Sequence, residues 1–275
     1  MDITKSLNKA MEYVERNLDK EIDINEVSKI AGCSAFSFTR MFPFLAGISF
    51  NEYLRKRRLT KAGYELQNTD KKILDLSLKY GYESPTSFNR AFASHHGVAP
   101  SKARKQGTTL RAYMPITFSI TIKGVVAMEF KIEEREGFRA VGFKRRFRTD
   151  NGENFREIPK MWEKAMSDET YDKLITLNNV DMRASLGICA NMEGYEFDYY
   201  IATPSSMEEI GELEEIIIKP QLYAVFPCAL EDIQEVTKRI FSEWLPNSEY
   251  KHASAPEIEV YYQDCSIEIL IPIQK

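Results

Sequence analysis

In the first hundred residues apolar side chains recur at the helical spacing i, i+3, i+4, i+7. Phe38, Met41, Phe42 and Leu45 make one such stripe; Phe88, Ala91, Phe92 and His95 make a weaker second. Each stripe follows a short helical segment (about 24–31 and about 72–79) and a small turn, Ala31-Gly32-Cys33 or Gly81-Tyr82-Glu83. Each begins at a serine suited to an N-cap, Ser34 or Ser84, and closes at Gly47 or Gly97. Pro85 stands at a first helical position, where a missing N–H costs nothing. The two stretches are copies. A shift of 50 residues superposes Ser34/Ser84, Ser37/Ser87, Phe38/Phe88, Arg40/Arg90, Phe42/Phe92 and Gly47/Gly97. Between them Tyr53, Leu54, Leu59, Ala62 and Leu66 predict one long amphipathic helix. Helix, tight turn and second helix, twice over, predict an all-α tandem helix-turn-helix domain.

The pattern changes after KQGTTLRAYMPIT (105–117), where Gly, Thr and Pro break the helical period. Beyond it β-branched and aromatic residues predict strands at about 127–133, 138–147, 184–190, 197–203, 213–219, 222–228, 257–263 and 266–272, with helices at 153–167 and 230–245. That is β-β-α-β-β, duplicated. RAVGF (139–143) answers YAVFP (223–227), and each half has a helix carrying a tryptophan, Trp162 or Trp244. An α+β domain with pseudo-twofold symmetry follows. The domain reading is 1–106 for the helical domain, 107–117 for a linker and 118–275 for the α+β domain.

Composition adds a division that the total hides. The 275 residues carry a formal net charge of −4, but residues 1–110 hold 18 Lys+Arg against 12 Asp+Glu (+6) and residues 111–275 hold 19 against 29 (−10). A basic half joined to an acidic one points to a polyanion reader coupled to something else. No apolar run reaches the roughly 18 residues of a membrane helix, so a cytoplasmic protein with no membrane partner is expected. The four cysteines, Cys33, Cys189, Cys228 and Cys265, form no C-x-x-C pair and read as free thiols of a reducing compartment. His95, His96 and His252 are the only histidines. Two adjacent ones point about 100° apart on a helix, so neither a metal site nor any cofactor is expected.

Residues 3–105 resemble the DNA-binding domain of the AraC/XylS family of bacterial transcription regulators. The likeness is carried by L-x-L-S-L-K-Y-G-Y-x-S-P-T-S-F-N-R-A-F-x-x-x-x-G-V-A-P-S-K-A-R at 74–104, repeated in part at 34–47. Ser28 and Ser77 stand where the family usually has alanine, and Pro43 inside the first recognition helix puts that helix's end in question. The C-terminal half resembles the GyrI-like (SHS2-type) effector-binding domain of Rob-type regulators. Here the likeness rests on F-x-x-I-P-x-M-W (155–162), SLGIC (185–189), YAVF (223–226) and the run from Glu243 to Ile273.

The second helix of a helix-turn-helix enters the major groove, so its outward residues are the expected base readers: Phe36, Ser37, Thr39 and Arg40 in the first copy, Thr86, Ser87, Asn89 and Arg90 in the second. Arginine suits guanine and Asn89 suits adenine; Phe36 either packs on a thymine methyl or folds into the core. Phosphate contacts are expected from Arg57, Arg58, Lys61, Lys102 and Arg104 and from the helix N-termini at Ser34 and Ser84. The densest positive charge, Arg55-Lys56-Arg57-Arg58, is read as part of that surface.

In the acidic half, Glu259, Tyr261 and Glu268 among Trp162, Tyr199, Tyr200, Tyr223 and Trp244 are expected to line a pocket for a small, lipophilic and cationic effector. The alternation of half-exposed strands also accounts for both glutamates. The expected function is a transcription regulator that binds double-stranded promoter DNA and is not an enzyme. The resemblance implies activation more often than repression and contact with RNA polymerase, and it leaves a homodimer open. Two alternatives remain for the C-terminal domain: a hydrolase of reactive small molecules that uses Glu259 and Tyr261, or a protein-interaction and dimerisation module.

Overall fold

The structure is a computed structural model that describes residues 3–119, 127–149 and 152–275. The chain divides into two compact units, one of Met1–Gly32 with Ile48–Ile120, the other of Cys33–Gly47 with Thr121–Lys275.

Unit 1 is helical: α1 (Ile3–Arg16), α2 (Ile24–Ala31), α4 (Phe50–Asn68), α5 (Ile73–Lys79), α6 (Pro85–His96) and the single turn α7 (Pro100–Ala103). The helix ends follow the capping residues. Asp23 accepts from the Asn25 N–H, Ser49 from Glu52 and Ser84 from Ser87, each satisfying a backbone donor that the first turn leaves open. Gly97 closes α6 with φ +77°, a backbone state that disfavours any Cβ. Around α4 the core gathers Leu59, Ala62 and Leu66 with Leu76, Tyr80, Phe88, Phe92 and Ala103.

Residues 108–118, which take in most of the linker expected at 107–117, lie along this unit. Gln67 donates to the Thr108 carbonyl, Arg111 N–H to His96, Tyr113 N–H to Thr60, Ile116 N–H to Tyr53 and Phe118 N–H to Asn8. His96 also sits 3.0 Å from the Leu59 carbonyl, so the adjacent histidines are packing residues; burial pushes His95 down to about 4.

Unit 2 contains α3 (Ala35–Ala46) and an antiparallel sheet with flanking helices. Its strands are β1 (Lys131–Arg135), β2 (Phe138–Arg148), β3 (Ala184–Glu193), β4 (Glu196–Pro204), β5 (Glu214–Ile218), β6 (Gln221–Cys228), β7 (Lys251–His252), β8 (Glu257–Tyr262) and β9 (Ile267–Gln274). Its further helices are α8 (Glu153–Ser167), α9 (Thr170–Thr176) and α10 (Ile233–Arg239), and α10 continues into a π-helical turn at Ile240–Trp244. The first predicted strand, 127–133, begins only at Lys131; residues 127–130 precede it outside any strand. Pro43 does not shorten α3, which has the same twelve residues as its counterpart α6.

The strand order is β1-β6-β9-β8-β3-β4-β2-β5. With β5, β6, β8 and β9 taken as the second copies of β1, β2, β3 and β4, the order reads the same from either end. The duplication inferred from the pattern is thus a twofold arrangement with its axis between β3 and β8. Each half lends its first strand to the other: β1 pairs with β6, and β5 pairs with β2. One face of the sheet buries Leu186, Ile188, Tyr200, Tyr223, Val225, Ile258, Val260 and Leu270. The other buries Phe147, Cys189, Phe197, Tyr199 and Ile201 beneath Met161, Trp162 and Leu174 of α8 and α9, together with Phe36 of α3.

Candidate functional site

The twofold sheet brings β8 against β3, so Glu257 lies opposite Cys189 and Glu259 opposite Gly187. Side chains alternate along a strand, so Glu257, Glu259 and Tyr261 share the helix-covered face with Tyr199. Gly187 makes room there. A Cβ at that position would collide with the Tyr199 hydroxyl and stand 3.0 Å from a Glu259 carboxylate oxygen. In the space left, Trp162 Nε1 donates to the Tyr199 hydroxyl at 2.9 Å. Tyr261 donates to Glu259 Oε2 at 2.8 Å, and Tyr199 reaches the same oxygen at 3.5 Å. The Trp162 and Tyr261 rings lie 5.1 Å apart.

Burial pushes the Glu259 carboxyl above its ordinary value. Glu257 goes the other way. Its burial also works against charge, but the guanidinium of Arg40 and the ring of His252 outweigh it. Burial raises the Cys189 thiol and holds the Tyr199 and Tyr261 hydroxyls neutral. The arrangement is therefore two inward-facing carboxylates under an aromatic roof, beside hydroxyls and a thiol that do not ionise.

The expected pocket residues fall into three places. Trp162, Tyr199, Glu259 and Tyr261 come together as described. Glu268, in register with Val260, faces the opposite side of the sheet, where Lys131, Arg135 and Tyr262 hold it; Tyr200 and Tyr223 are buried on that side as well. This corrects their placement in one pocket: Glu259 and Glu268 each follow the period of two, but on neighbouring strands whose registers put them on opposite faces. Trp244 belongs to a separate aromatic cluster with Phe130, Phe226 and Tyr250. Glu257, not anticipated, is the most buried carboxylate of the site. Its signal was available in its i, i+2 spacing from Glu259.

Within the same unit the first recognition helix is seated on this face. Arg40 Nε lies 3.2 Å from Glu257 Oε2, with side chains only 11% and 6% exposed. The Ser37 hydroxyl is 2.6 Å from His252 Nδ1. Phe36 meets Phe197 edge-on at 6.2 Å and lies 6.4 Å from the His252 ring; Phe44 stacks on Phe241 at 5.9 Å and meets Phe155 at 5.5 Å. The Thr39 hydroxyl turns back to the Phe36 carbonyl. Phe36, Ser37 and Thr39 are buried, which corrects their reading, with that of Arg40, as outward groups. Ser34 remains exposed and caps the helix. In the second copy Thr86, Ser87, Asn89 and Arg90 are all exposed on α6, which Ser84 caps.

The basic run is also corrected. Arg57 is buried and grips Glu15 of α1 through two nitrogens at 2.7 and 2.8 Å, with a third contact to the Tyr113 carbonyl. Arg58 donates to the Leu18 and Lys20 carbonyls, Arg55 pairs with Glu52, and Lys56 lies over the Tyr113 ring. Arg104 donates to the Thr69 and Lys71 carbonyls. Arg58 and Arg104 thus each bridge two loop carbonyls, and Arg57 ties Glu15 of α1 to the Tyr113 carbonyl. Lys61 and Lys102 are exposed.

Comparison with known proteins finds two families along the chain. Residues 131–273 match the family described as integron-associated effector binding protein, and residues 27–106 match a helix-turn-helix domain family. The transposon Tn10 TetD protein of Escherichia coli is 40% identical over 93 residues, 34% of this chain and 67% of its own length. The probable transcription factor PqrA of Proteus vulgaris is 36% identical over 104 residues, 37% of this chain and 85% of its own. A solved structure of SAV2435 bound to tetraphenylphosphonium aligns with 54% of this chain and 94% of its own at 21% identity and a TM-score of 0.47. Among the described residues no helix is long and apolar enough to cross a membrane, and no cluster of His, Cys, Asp and Glu could hold a metal ion. The chain belongs to the integron-associated effector binding protein family, carries an AraC-type helix-turn-helix domain ahead of that module, and is a DNA-binding transcription regulator with a C-terminal effector-binding domain.

Proposed function

We propose that the effector is a lipophilic cation held over Gly187, with Glu259 as its charge partner and Trp162, Tyr199 and Tyr261 as its aromatic walls. The observation that carries this is a carboxylate buried among aromatic rings, its acid form favoured by that burial and, among the described residues, without an ion pair of its own. A buried carboxylate beside π faces is matched by a cation with apolar substituents, through charge and cation–π attraction. The site binds and does not turn over its ligand, because the hydroxyls and thiol around it are held away from their nucleophilic forms.

On the DNA side, α6 reads bases through Thr86, Ser87, Asn89 and Arg90, with Lys61 and Lys102 on phosphates; Ser34 and Ser84 offer helix N-termini to the backbone. One chain carries two recognition helices, so reading an operator needs no second copy. The effector biases promoter binding and activates transcription through contact with RNA polymerase, the mode the family resemblance implies.

Calorimetric titration of the full chain with tetraphenylphosphonium tests the effector reading. Glu259→Gln is expected to weaken binding at least about tenfold, and Glu268→Gln to leave it unchanged. Equal affinities for wild type and Glu259→Gln would remove Glu259 from the site. Arg90→Ala is expected to relax sequence preference, and equal losses on specific and random DNA would count against base reading by Arg90.

A further inference from the structure

The cleft proposed for the effector is not bare in this structure. Arg40 brings a planar cation to Glu257, the neighbour of Glu259 on the same face of β8. Phe36 packs into the apolar cluster that contains Tyr199, Cys189 and Trp162, and Phe44 inserts its ring between Phe155 of α8 and Phe241 of the π-helical turn. Arg40 also lies across the Phe44 ring, with its guanidinium carbon 5.6 Å from the centroid. A cation lying across an aromatic ring and facing buried carboxylates has the chemistry just assigned to the effector.

We propose that α3 is an internal ligand of the effector site: helix and effector exclude one another from the carboxylate end of the cleft, and effector binding releases the first recognition helix for DNA. This rests on the reading of the cleft as a cation site. Of the side chains that a major groove would receive, Phe36, Ser37 and Arg40 are engaged with Phe197, His252 and Glu257, and Thr39 is buried beside them, so the two engagements cannot coexist.

The energetics favour exchange over permanent docking. A desolvated Arg–Glu pair returns in attraction little more than it loses in hydration, so the contact specifies where α3 sits more than it stabilises it. Removal of α3 alone would leave Glu257 buried without its guanidinium partner, which is costly. A cationic effector supplies the missing charge, and the swap then runs near balance. The affinity measured for the effector is therefore reduced by the fraction of molecules in which α3 is docked.

The test uses the full chain, tetraphenylphosphonium as probe, and Phe44→Ala, a residue outside both the base-reading set and the walls of the cation site. Phe44 is only partly buried, so its loss weakens docking without emptying a core. Competition predicts that saturating probe accelerates amide exchange in 35–46 at least about tenfold, and that Phe44→Ala binds the probe several-fold to about tenfold tighter than wild type. Probe binding that depends on Glu259 but leaves exchange in 35–46 and the Phe44→Ala affinity unaltered would overturn the exclusion and keep the effector reading. If neither wild type nor Phe44→Ala binds the probe, the effector reading itself fails and the competition with it.

Discussion

Replacing Arg57 by Gln separates two roles that its sequence context makes equally plausible. Its guanidinium is 4% exposed and holds Glu15, itself 17% exposed, through two short contacts. Tyr53 donates to the same carboxylate at 2.7 Å and receives the Ile116 N–H, so the pair joins α1, α4 and the strap at 108–118. Burial works against the charge on Glu15, and the contacts of Arg57 and Tyr53 outweigh it, holding the carboxyl below its ordinary value. Truncating one partner of a buried pair costs roughly 3–5 kcal/mol; with Glu15 partly reached by water the lower end applies, about 3 kcal/mol. That is on the order of a hundredfold in the opening equilibrium. Hydrogen exchange of the full-length protein should therefore quicken by about that factor in peptides from α1 and α4. The slope of log K for DNA against log salt should stay unchanged, because an internal arginine releases no counterion, whereas each phosphate contact contributes about 0.9. Lys61→Gln, at an exposed position, should do the reverse. A slope about 0.9 shallower for Arg57→Gln, with α1 and α4 exchange unaltered, would refute the reasoning and restore Arg57 to the phosphate surface.

Gly187→Ala places a methyl against the Tyr199 hydroxyl and 3.0 Å from Glu259. Overpacking of this kind costs about 1–3 kcal/mol, and tetraphenylphosphonium affinity should fall about tenfold or more with a change in Trp162 emission; undiminished affinity would place the ligand elsewhere. Glu65 gives a pH prediction. Despite partial burial, its contacts with Lys71, Lys79 and Tyr80 hold it down to about 2 from an ordinary 4.5. A lowered carboxylate stabilises above its unfolded value and loses that contribution as pH falls from about 4.5 to about 2. Exchange in α4 and α5 should accelerate across that window in wild type, and Glu65→Gln should flatten the dependence.

The helical unit was legible because its signals are local: a serine before each stripe, a glycine after it, and apolar residues three and four apart. The duplication of the α+β half was equally legible, since alternation and the two tryptophan helices survive in the chain. What stayed hidden depends on register and on long-range partners. Nothing near Glu268 in the sequence tells that β9 pairs Glu268 with Val260 and so turns it from Glu259. The arginine run read as a phosphate-facing surface because its acceptors, Glu15 and the Leu18 and Lys20 carbonyls, lie about forty residues away in α1 and the loop after it. Arg40 and Arg90 are identical in their repeats, yet one is paired with a carboxylate 217 residues on and the other is exposed. Repetition predicts the element and says nothing of what it rests against.

The exchange of first strands between the halves of the sheet bears on how the protein is made. β1 must wait for β6, some ninety residues later, and β9 sits between β6 and β8 near the middle of the strand order, although it is the last of the described strands along the chain. Pairings of such long sequence separation close slowly, whereas helices and their tight turns form early. The helices of unit 1 therefore form before the sheet, at a stage when the face that receives α3 does not yet exist. Under the proposed exclusion of α3 by effector, responsiveness arrives only once β9 has joined the sheet.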